Sequence, residues 1–194
     1  MIQRLPLAAS AAAALLLAGC SFGPKVPATL MRLSAVSAPA AAAGRTGATA
    51  QALTVVPPTV TQELATQRVP VRSGTTQVAY LKDAQWVETP AIMFARLVSD
   101  TVAARSGRIV LDPKQFTFDP GQRLTGTLRS FGLESDTMQA VVVYDAALAR
   151  GTDQVETRRF EARVPVTTID SASAASALNQ AANQVAADVA AWVG

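Results

Sequence analysis

The chain begins with a short apolar segment that ends at its only cysteine. Arg4 is the one charged residue before this segment, which covers residues 5–18 and contains four consecutive alanines followed by three leucines. A transmembrane helix needs about 20 apolar residues, so a shorter run behind a positive charge is typical of a secretory signal peptide. We therefore predict that residues 1–19 are removed and that the fold is built from the 175 residues that then remain of the 194.

The end of the apolar segment carries a more specific signal. Residues 17–20, Leu-Ala-Gly-Cys, resemble the lipobox of bacterial lipoproteins, and the match is complete. In that family the cysteine thiol is diacylated, the peptide bond before it is cleaved, and the new amino group is usually acylated. An ordinary signal peptide needs no cysteine at its cleavage site, which disfavours the alternative of a stray cysteine. The resemblance implies that Cys20 is the lipidation site.

Lipidation at this position implies a stable membrane anchor. One acyl chain gives reversible membrane binding, whereas two or more hold a protein firmly on a bilayer. The residue after the cysteine is Ser21 rather than aspartate. By resemblance to lipoprotein sorting in Gram-negative bacteria, this implies an outer-membrane anchor with the domain facing the periplasm. Residues 20–27 contain one glycine and two prolines and are predicted to form the lipidated tether, and residues 28–194 are predicted to form a single domain.

The composition excludes several classes of function. The chain has no histidine and one cysteine, which excludes histidine-based catalytic triads, histidine-ligated metal sites, CxxC redox pairs and intrachain disulfides. Lys and Arg outnumber Asp and Glu by 17 to 14, and this net charge of +3 is too small to indicate a nucleic-acid partner. We predict a protein that is not an enzyme, with no catalytic residues, no cofactor and no metal site.

One helix is predicted in the middle of the chain. Thr89 is a good N-cap residue because its side chain can accept a backbone N–H bond, and Pro90 is well suited to the first helical position. The helix should cover residues 90–105 and stop at Gly107. Its inner face at i, i+3 and i+4 spacing consists of Met93, Phe94, Leu97, Val98, Thr101 and Val102.

Alternating apolar residues predict a sheet around this helix. Short strands are predicted at residues 29–36, 52–56, 67–72, 76–81 and 108–111, with Pro70 marking an edge strand. Longer strands at residues 124–131, 138–148 and 154–166 are separated by short polar connections and should form a meander of hairpins. The fold class is therefore α/β (α+β), with a mixed, largely antiparallel sheet and two helices, one mid-chain and one C-terminal.

The C-terminal helix is predicted to begin at Asp170 or Ser171 and to end near Trp192. Its apolar stripe consists of Leu178, Ala182, Val185, Val189 and Trp192. The rest of its surface is alanine, serine, asparagine and glutamine. This surface either faces a partner subunit, which would make the protein a homo-oligomer, or is simply solvated.

Two aromatic residues are candidates for binding a partner protein. Tyr80 and Trp86 flank a predicted loop at residues 81–85, and Trp and Tyr dominate interaction hot spots because each ring buries a large apolar area. The alternative is that these rings pack in the core or at its rim.

The order of these segments resembles the ABC-type transport auxiliary lipoprotein family, which includes the paraquat-inducible protein C group. The lipobox is followed by a short strand ending at Val56 and Pro57, by the segments Gln-Arg-Val-Pro-Val-Arg at 67–72 and Gln-Val-Ala-Tyr-Leu at 77–81, and by Asp-Ala-Gln-Trp-Val-Glu-Thr-Pro at 83–90. The pair Arg159 and Phe160 and the alanine-rich terminal helix complete the resemblance. The paired tyrosines usual in the first strand are absent, and Thr29 and Leu30 occupy that region.

The resemblance implies a fold and a function. The family has no known catalytic residues and an α/β domain with a mixed sheet and two helices. It implies a non-catalytic component of an ABC/MCE-type lipid transport system, where MCE denotes mammalian cell entry, with an MCE-domain protein and an ABC transporter permease and ATPase as partners. The alternative function is a periplasmic lipoprotein that itself binds an acyl chain.

Overall fold

The computed structural model describes residues 27–38, 46–48, 51–113, 121–150 and 154–194. The predicted signal peptide, Cys20 and nearly all of the tether lie outside the described residues. The elements, in chain order, are β1 Leu53–Val55, β2 Thr59–Val60, a 3-10 turn Gln62–Leu64, β3 Arg68–Ser73, β4 Gln77–Gln85, α1 Pro90–Ser106, β5 Val110–Leu111, β6 Gln122–Glu134, β7 Gln139–Arg150, β8 Gln154–Pro165 and α2 Ser171–Val193.

Strand β6 is the centre of an eight-stranded sheet. One edge of β6 pairs antiparallel with β7, which pairs antiparallel with β8. The other edge receives three short strands in succession, because β1 pairs with its first residues, β2 with its middle and β3 with its last residues. All three run parallel to β6. Beyond them, β5 lies parallel to β1, and β4 lies antiparallel to β3.

The predicted predominance of antiparallel pairing is wrong. Four of the seven pairings between described strands are parallel, so the core sheet is mixed and mostly parallel. The hairpin meander of β6, β7 and β8 is confirmed. These pairings could be predicted from the sequence because short turns join the consecutive strands. The parallel pairings join strands far apart in the chain, and hydrophobic alternation does not identify such partners.

Two local predictions also need correction. The segment at residues 29–36 does not form a regular strand, and its only bridge is the parallel one between Met31 and Trp86. Pro70 does not mark an edge, because β3 lies between β4 and β6. The register of β3 against β4 shifts between Arg68 and Pro70, and such an irregularity is where a proline without an N–H fits within a sheet.

Both helices cover one face of the sheet. The predicted inner face of α1 is buried, and the helix closes at Gly107, whose φ of 69° is left-handed. The even-numbered side chains of β7 point at the helices, and the ring of Tyr144 meets that of Phe94 at 5.1 Å between centroids. On α2, the predicted stripe is buried except for Trp192, which is partly exposed and lies 5.5 Å from Phe160. The mid-chain and C-terminal helices are therefore confirmed.

The two helix N-caps differ, and this yields a stability prediction. Asp170 accepts the Ser173 N–H at 2.8 Å, whereas Thr89 makes no side-chain capping bond. We expect Asp170→Ala to lower the free energy of unfolding by about 1 kcal/mol. Thr89→Ala should cost less, which corrects the capping role expected from the sequence. Urea denaturation of the two variants would check this, and a larger loss for Thr89→Ala would contradict it.

Candidate interaction surfaces

Trp86 is a core residue. Its side chain is 0% exposed, and its ring meets Phe131 edge-on at 5.4 Å between centroids. Its backbone N–H donates to the Gln67 carbonyl oxygen at 2.7 Å. The expectation that this ring is exposed beside a loop is therefore wrong, because β4 extends through the expected loop to Gln85 and carries Trp86 under the sheet face. Core packing, the alternative left open by the sequence, is what the structure shows for this residue.

The indole of Trp86 has an additional peculiarity. Its Nε1 atom is buried and has no hydrogen-bond partner among the described residues. Buried donors are nearly always paired, and an unpaired one has a desolvation cost. The shape and buried area of the ring, and not its N–H group, therefore stabilise Trp86 at this place in the core.

Tyr80 has a different environment. Its ring is partly exposed, and the guanidinium carbon of Arg68 lies 4.2 Å from its centroid, a cation–π geometry. Its hydroxyl donates to the Glu63 carbonyl oxygen at 3.4 Å. The structure thus separates the two predicted aromatics, with Trp86 in the core and Tyr80 at the surface of β4, where it remains a candidate contact residue.

The sheet face opposite the helices carries ion pairs, and we call it the ion-pair face. Asp145 lies between Arg159 and Arg129, at 2.6 and 2.8 Å. The hydrogen bond from Arg159 is the main cause that lowers the pKa of Asp145 to about 2. Because folding lowers this pKa, the cluster's contribution to stability is present above about pH 4 and is lost as the pH falls towards 2.

A second cluster continues the ion-pair face. Arg163 contacts Glu134 at 2.7 Å and Glu161 at 2.6 Å. In both clusters each charge has a partner of opposite sign, so the face has little net charge with which to attract an ionic ligand. Among the described residues, no group of three Asp, Glu, His or Cys side chains is placed to hold a metal ion.

A surface hollow lies where the two helices end. It has a volume of about 520 Å³, and its lining includes Gln51, Gly107 and Arg108. Arg108 donates to the carbonyl oxygens of Gln51 and Val193, so it ties the last residues of α2 to the segment before β1. Burial and the nearby Arg150 lower the pKa of Arg108. The hydrogen bonds of Arg108 therefore have a structural role, because they hold the C-terminal end of α2.

An extended segment crosses the outer side of the helices, and we call residues 31–36 the strap. The Ser34 N–H donates to Asn179 Oδ1 at 2.8 Å, and the Val36 N–H donates to Asn183 Oδ1 at 2.9 Å. Asn183 Nδ2 returns a bond to the Ser34 carbonyl oxygen. Sequence reasoning missed these asparagines, although a spacing of four residues places them on the same side of α2.

None of the described helices is both long enough and apolar enough to cross a membrane.

Comparisons with known proteins agree with this architecture. Residues 33–190 match the family model described as the ABC-type transport auxiliary lipoprotein component. A crystal structure of a Xanthomonas campestris protein is 23% identical, with a TM-score of 0.70 over 85% of this chain and 94% of that chain. A crystal structure of an uncharacterized protein is 17% identical, with a TM-score of 0.66 over 74% of this chain and 92% of that chain. At these identities the two structures show the fold alone.

A search of curated proteins finds no significant match. The family model nevertheless spans most of the chain, from the strap to the last turn of α2. The chain therefore belongs to the ABC-type transport auxiliary lipoprotein component family, whose membership implies a lipid-anchored protein that associates with ABC transporter components.

Proposed function

We propose that the protein is an outer-membrane-anchored lipoprotein that faces the periplasm and serves as a non-catalytic component of an MCE-type lipid transport system. The observation that carries the proposal is the family match over residues 33–190 behind a complete lipobox at residues 17–20. Ser21 after the cysteine supports the outer membrane as the destination. An MCE-domain protein and the permease and ATPase of an ABC transporter are the proposed partners.

The arrangement of polar groups supports a role through contact rather than chemistry. The chain has no histidine, so it lacks the commonest general base. Asp145, whose pKa is the most strongly lowered of the described carboxyl groups, is engaged by two arginines. A carboxylate neutralised in this way stabilises the sheet and is not poised to abstract a proton.

The packing of the helix layer on the sheet favours a docking role over an acyl-chain carrier. The layer is filled by the rings of Trp86, Phe94, Phe131 and Tyr144, each at most 2% exposed. Small-molecule ligands usually occupy concave, mostly apolar pockets of about 300–1,000 Å³. In the described part of the chain, the 520 Å³ hollow is open to the surface, and polar or small residues line most of it.

Cross-linking in the native envelope would test the proposal. The full-length lipoprotein, with an affinity tag at the C-terminus, would be cross-linked in intact cells, extracted in detergent and purified. We expect an MCE-domain protein and the ABC permease to be identified among the linked proteins. Phospholipid would be measured by mass spectrometry in the same sample without cross-linker. Stoichiometric bound phospholipid without either partner would favour the carrier function instead.

Cys20 is expected to be essential for the anchor. Cys20→Ala should abolish labelling by radioactive palmitate and leave the protein unprocessed by the lipoprotein route, because no other cysteine exists to accept the acyl group. Ser21→Asp is the matched variant, since it should keep the label but shift the protein to the inner-membrane fraction. Equal labelling of Cys20→Ala and the wild type would refute the anchor, and outer-membrane recovery of Ser21→Asp would refute the sorting rule.

A further inference from the structure

Two exposed apolar side chains flank the point where the N-terminal segment joins the domain, and a third lies in the first turn of α1 nearby in the chain. The Met31 N–H donates to the Gln85 carbonyl oxygen at 2.8 Å, and the Val87 N–H donates to the Met31 carbonyl oxygen at 2.9 Å. Met31 and Trp86 are buried, and successive side chains of extended backbone point to opposite sides. Leu30 and Val87 therefore point outward, and they are 44% and 40% exposed.

The first turn of α1 adds a third apolar side chain at this end. Ile92 is 41% exposed and lies five residues after Val87, with its N–H bonded to the Thr89 carbonyl oxygen. Isolated exposed apolar residues are normal on a protein surface, whereas several at one place mark an interaction site. We call Leu30, Val87 and Ile92 the contact patch.

Basic side chains accompany the contact patch. Arg32 is exposed and lines the same surface hollow as Val87 and Arg96. Two acids share this part of the surface, because Glu88 is held by Arg96 at 2.6 Å and Asp100 lines the same hollow. This combination suits the interface of a bilayer. Apolar side chains enter the boundary of the acyl chains, and a nearby cation contacts anionic headgroups.

The strap determines which end of the domain faces the anchor. It runs along α2 from Asn179 to Asn183, that is, towards the C-terminal end of the helix. The chain before the strap therefore leaves the domain at the end where both helices begin. The hollow containing Arg108 and the last residue of α2 lie at the opposite end, since Arg108 bonds to the Val193 carbonyl oxygen.

The length of the tether places the contact patch within reach of the membrane. Pro27 lies seven positions after Cys20, and at about 3.5 Å per residue this distance along the chain spans at most about 25 Å. The 13 residues of β6 extend over about 44 Å at 3.4 Å per residue. The end that carries the contact patch can therefore rest on the bilayer while the opposite end stays away from it.

We propose that Leu30, Val87 and Ile92 form a membrane-contact patch that rests on the lipid interface in which Cys20 is anchored and leaves the opposite end of the domain free for the transport partner. The proposal rests on the lipid anchor of the proposed function. It adds a defined orientation to that anchor, since the bilayer is contacted by a specific surface of the folded domain.

Tryptophan reporters would test this orientation. Ile92→Trp and, as the matched control, Val155→Trp would be made in the full-length acylated protein, because Val155 is an exposed valine on β8, 67% exposed and near the opposite end. Each would be reconstituted in phosphatidylethanolamine–phosphatidylglycerol vesicles with or without brominated acyl chains. We expect brominated lipid to quench the added emission of Ile92→Trp and to leave that of Val155→Trp and of the wild type unquenched.

A second comparison separates the patch from the anchor. In the Ile92→Trp protein, Leu30→Ser combined with Val87→Ser should reduce the quenching, whereas Val36→Ser, an exposed strap residue outside the patch, should not. Vesicle flotation would be measured for every variant. Protein that floats with equal quenching at both reporters would overturn the orientation while leaving the anchor intact. Protein that fails to float would overturn the anchor and, with it, the orientation.

Discussion

Trp86→Ala is expected to lower the free energy of unfolding by about 3–5 kcal/mol, the range for removing a large buried aromatic side chain. The ring is fully buried, packs edge-on against Phe131, and belongs to the segment that holds Met31 at the start of the strap. Its loss would leave a cavity at the point where sheet, helix α1 and N-terminal segment meet. Capture of a partner protein should then fall only in proportion to the unfolded fraction.

Trp86→Phe is the matched control for this prediction. It keeps an aromatic ring and removes the indole N–H that has no hydrogen-bond partner among the described residues. We therefore expect a clearly smaller loss than for alanine, measured by urea denaturation and thermal melting. If Trp86→Ala kept the wild-type melting temperature, the core position of the ring would be refuted. If it then also lost partner binding, the ring would be a surface contact after all.

Gly126→Ala is expected to destabilise the domain by about 3 kcal/mol or more, because the added methyl group has no space. A Cβ atom at this position would lie 2.1 Å from the Asp145 carbonyl oxygen and 2.7 Å from Cε2 of Tyr144. The tyrosine ring lies across the glycine, and its hydroxyl donates to the Thr125 carbonyl oxygen at 2.9 Å. The ring and the neighbouring backbone are both fixed, so relief requires opening the β6–β7 ladder.

Gly74→Ala provides the comparison. Gly74 has a φ of 58° in the β3–β4 turn, and no atom lies within 4 Å of a Cβ built there. That substitution should cost only the conformational strain of a left-handed residue, about 1–2 kcal/mol. Chemical denaturation of both variants would check the difference. Equal losses would mean that backbone conformation, and not the close approach of Tyr144, explains the glycine at position 126.

Local signals in the sequence were sufficient for the helices and for the longest strands. Pro90 and Gly107 mark the limits of α1, and Asp170 marks the start of α2. The alternation in β7 and β8 identifies their buried faces, since one face of each strand meets the helices. Each of these inferences depends on residues a few positions apart, and for them the chemistry of caps and periodicity is decisive.

Contacts between distant segments were not accessible in the same way. Nothing in the short runs of β1, β2 and β3 specifies that all three share one edge of β6. The strap illustrates the same limit, because Asn179 and Asn183 bind backbone atoms of Ser34 and Val36, which any residue type supplies. A pattern of apolar residues does not predict such bonds.

The same difference between local signals and distant contacts applies to the candidate contact residues. The assignment of Cys20 depends on four adjacent residues and remains a prediction, since it lies outside the described residues. The sequence left open whether Trp86 is a surface contact or a core residue, because a tryptophan beside polar residues has the same local sequence in a loop and at the end of a strand. Its burial follows from the pairing with Met31, which lies more than 50 positions earlier in the chain.

The shared edge of β6 has a consequence for the order in which the domain folds. Leu53 of β1 pairs with Gln122, and Val71 of β3 pairs with Leu133, so each early strand must wait for a partner that lies more than 60 positions later in the chain. Closing such large loops slows folding. We expect the β6–β7–β8 meander to form first and to capture the earlier strands afterwards. Until then, three short segments rich in β-branched residues stay unpaired, and this is the stage at which a holding chaperone would matter most.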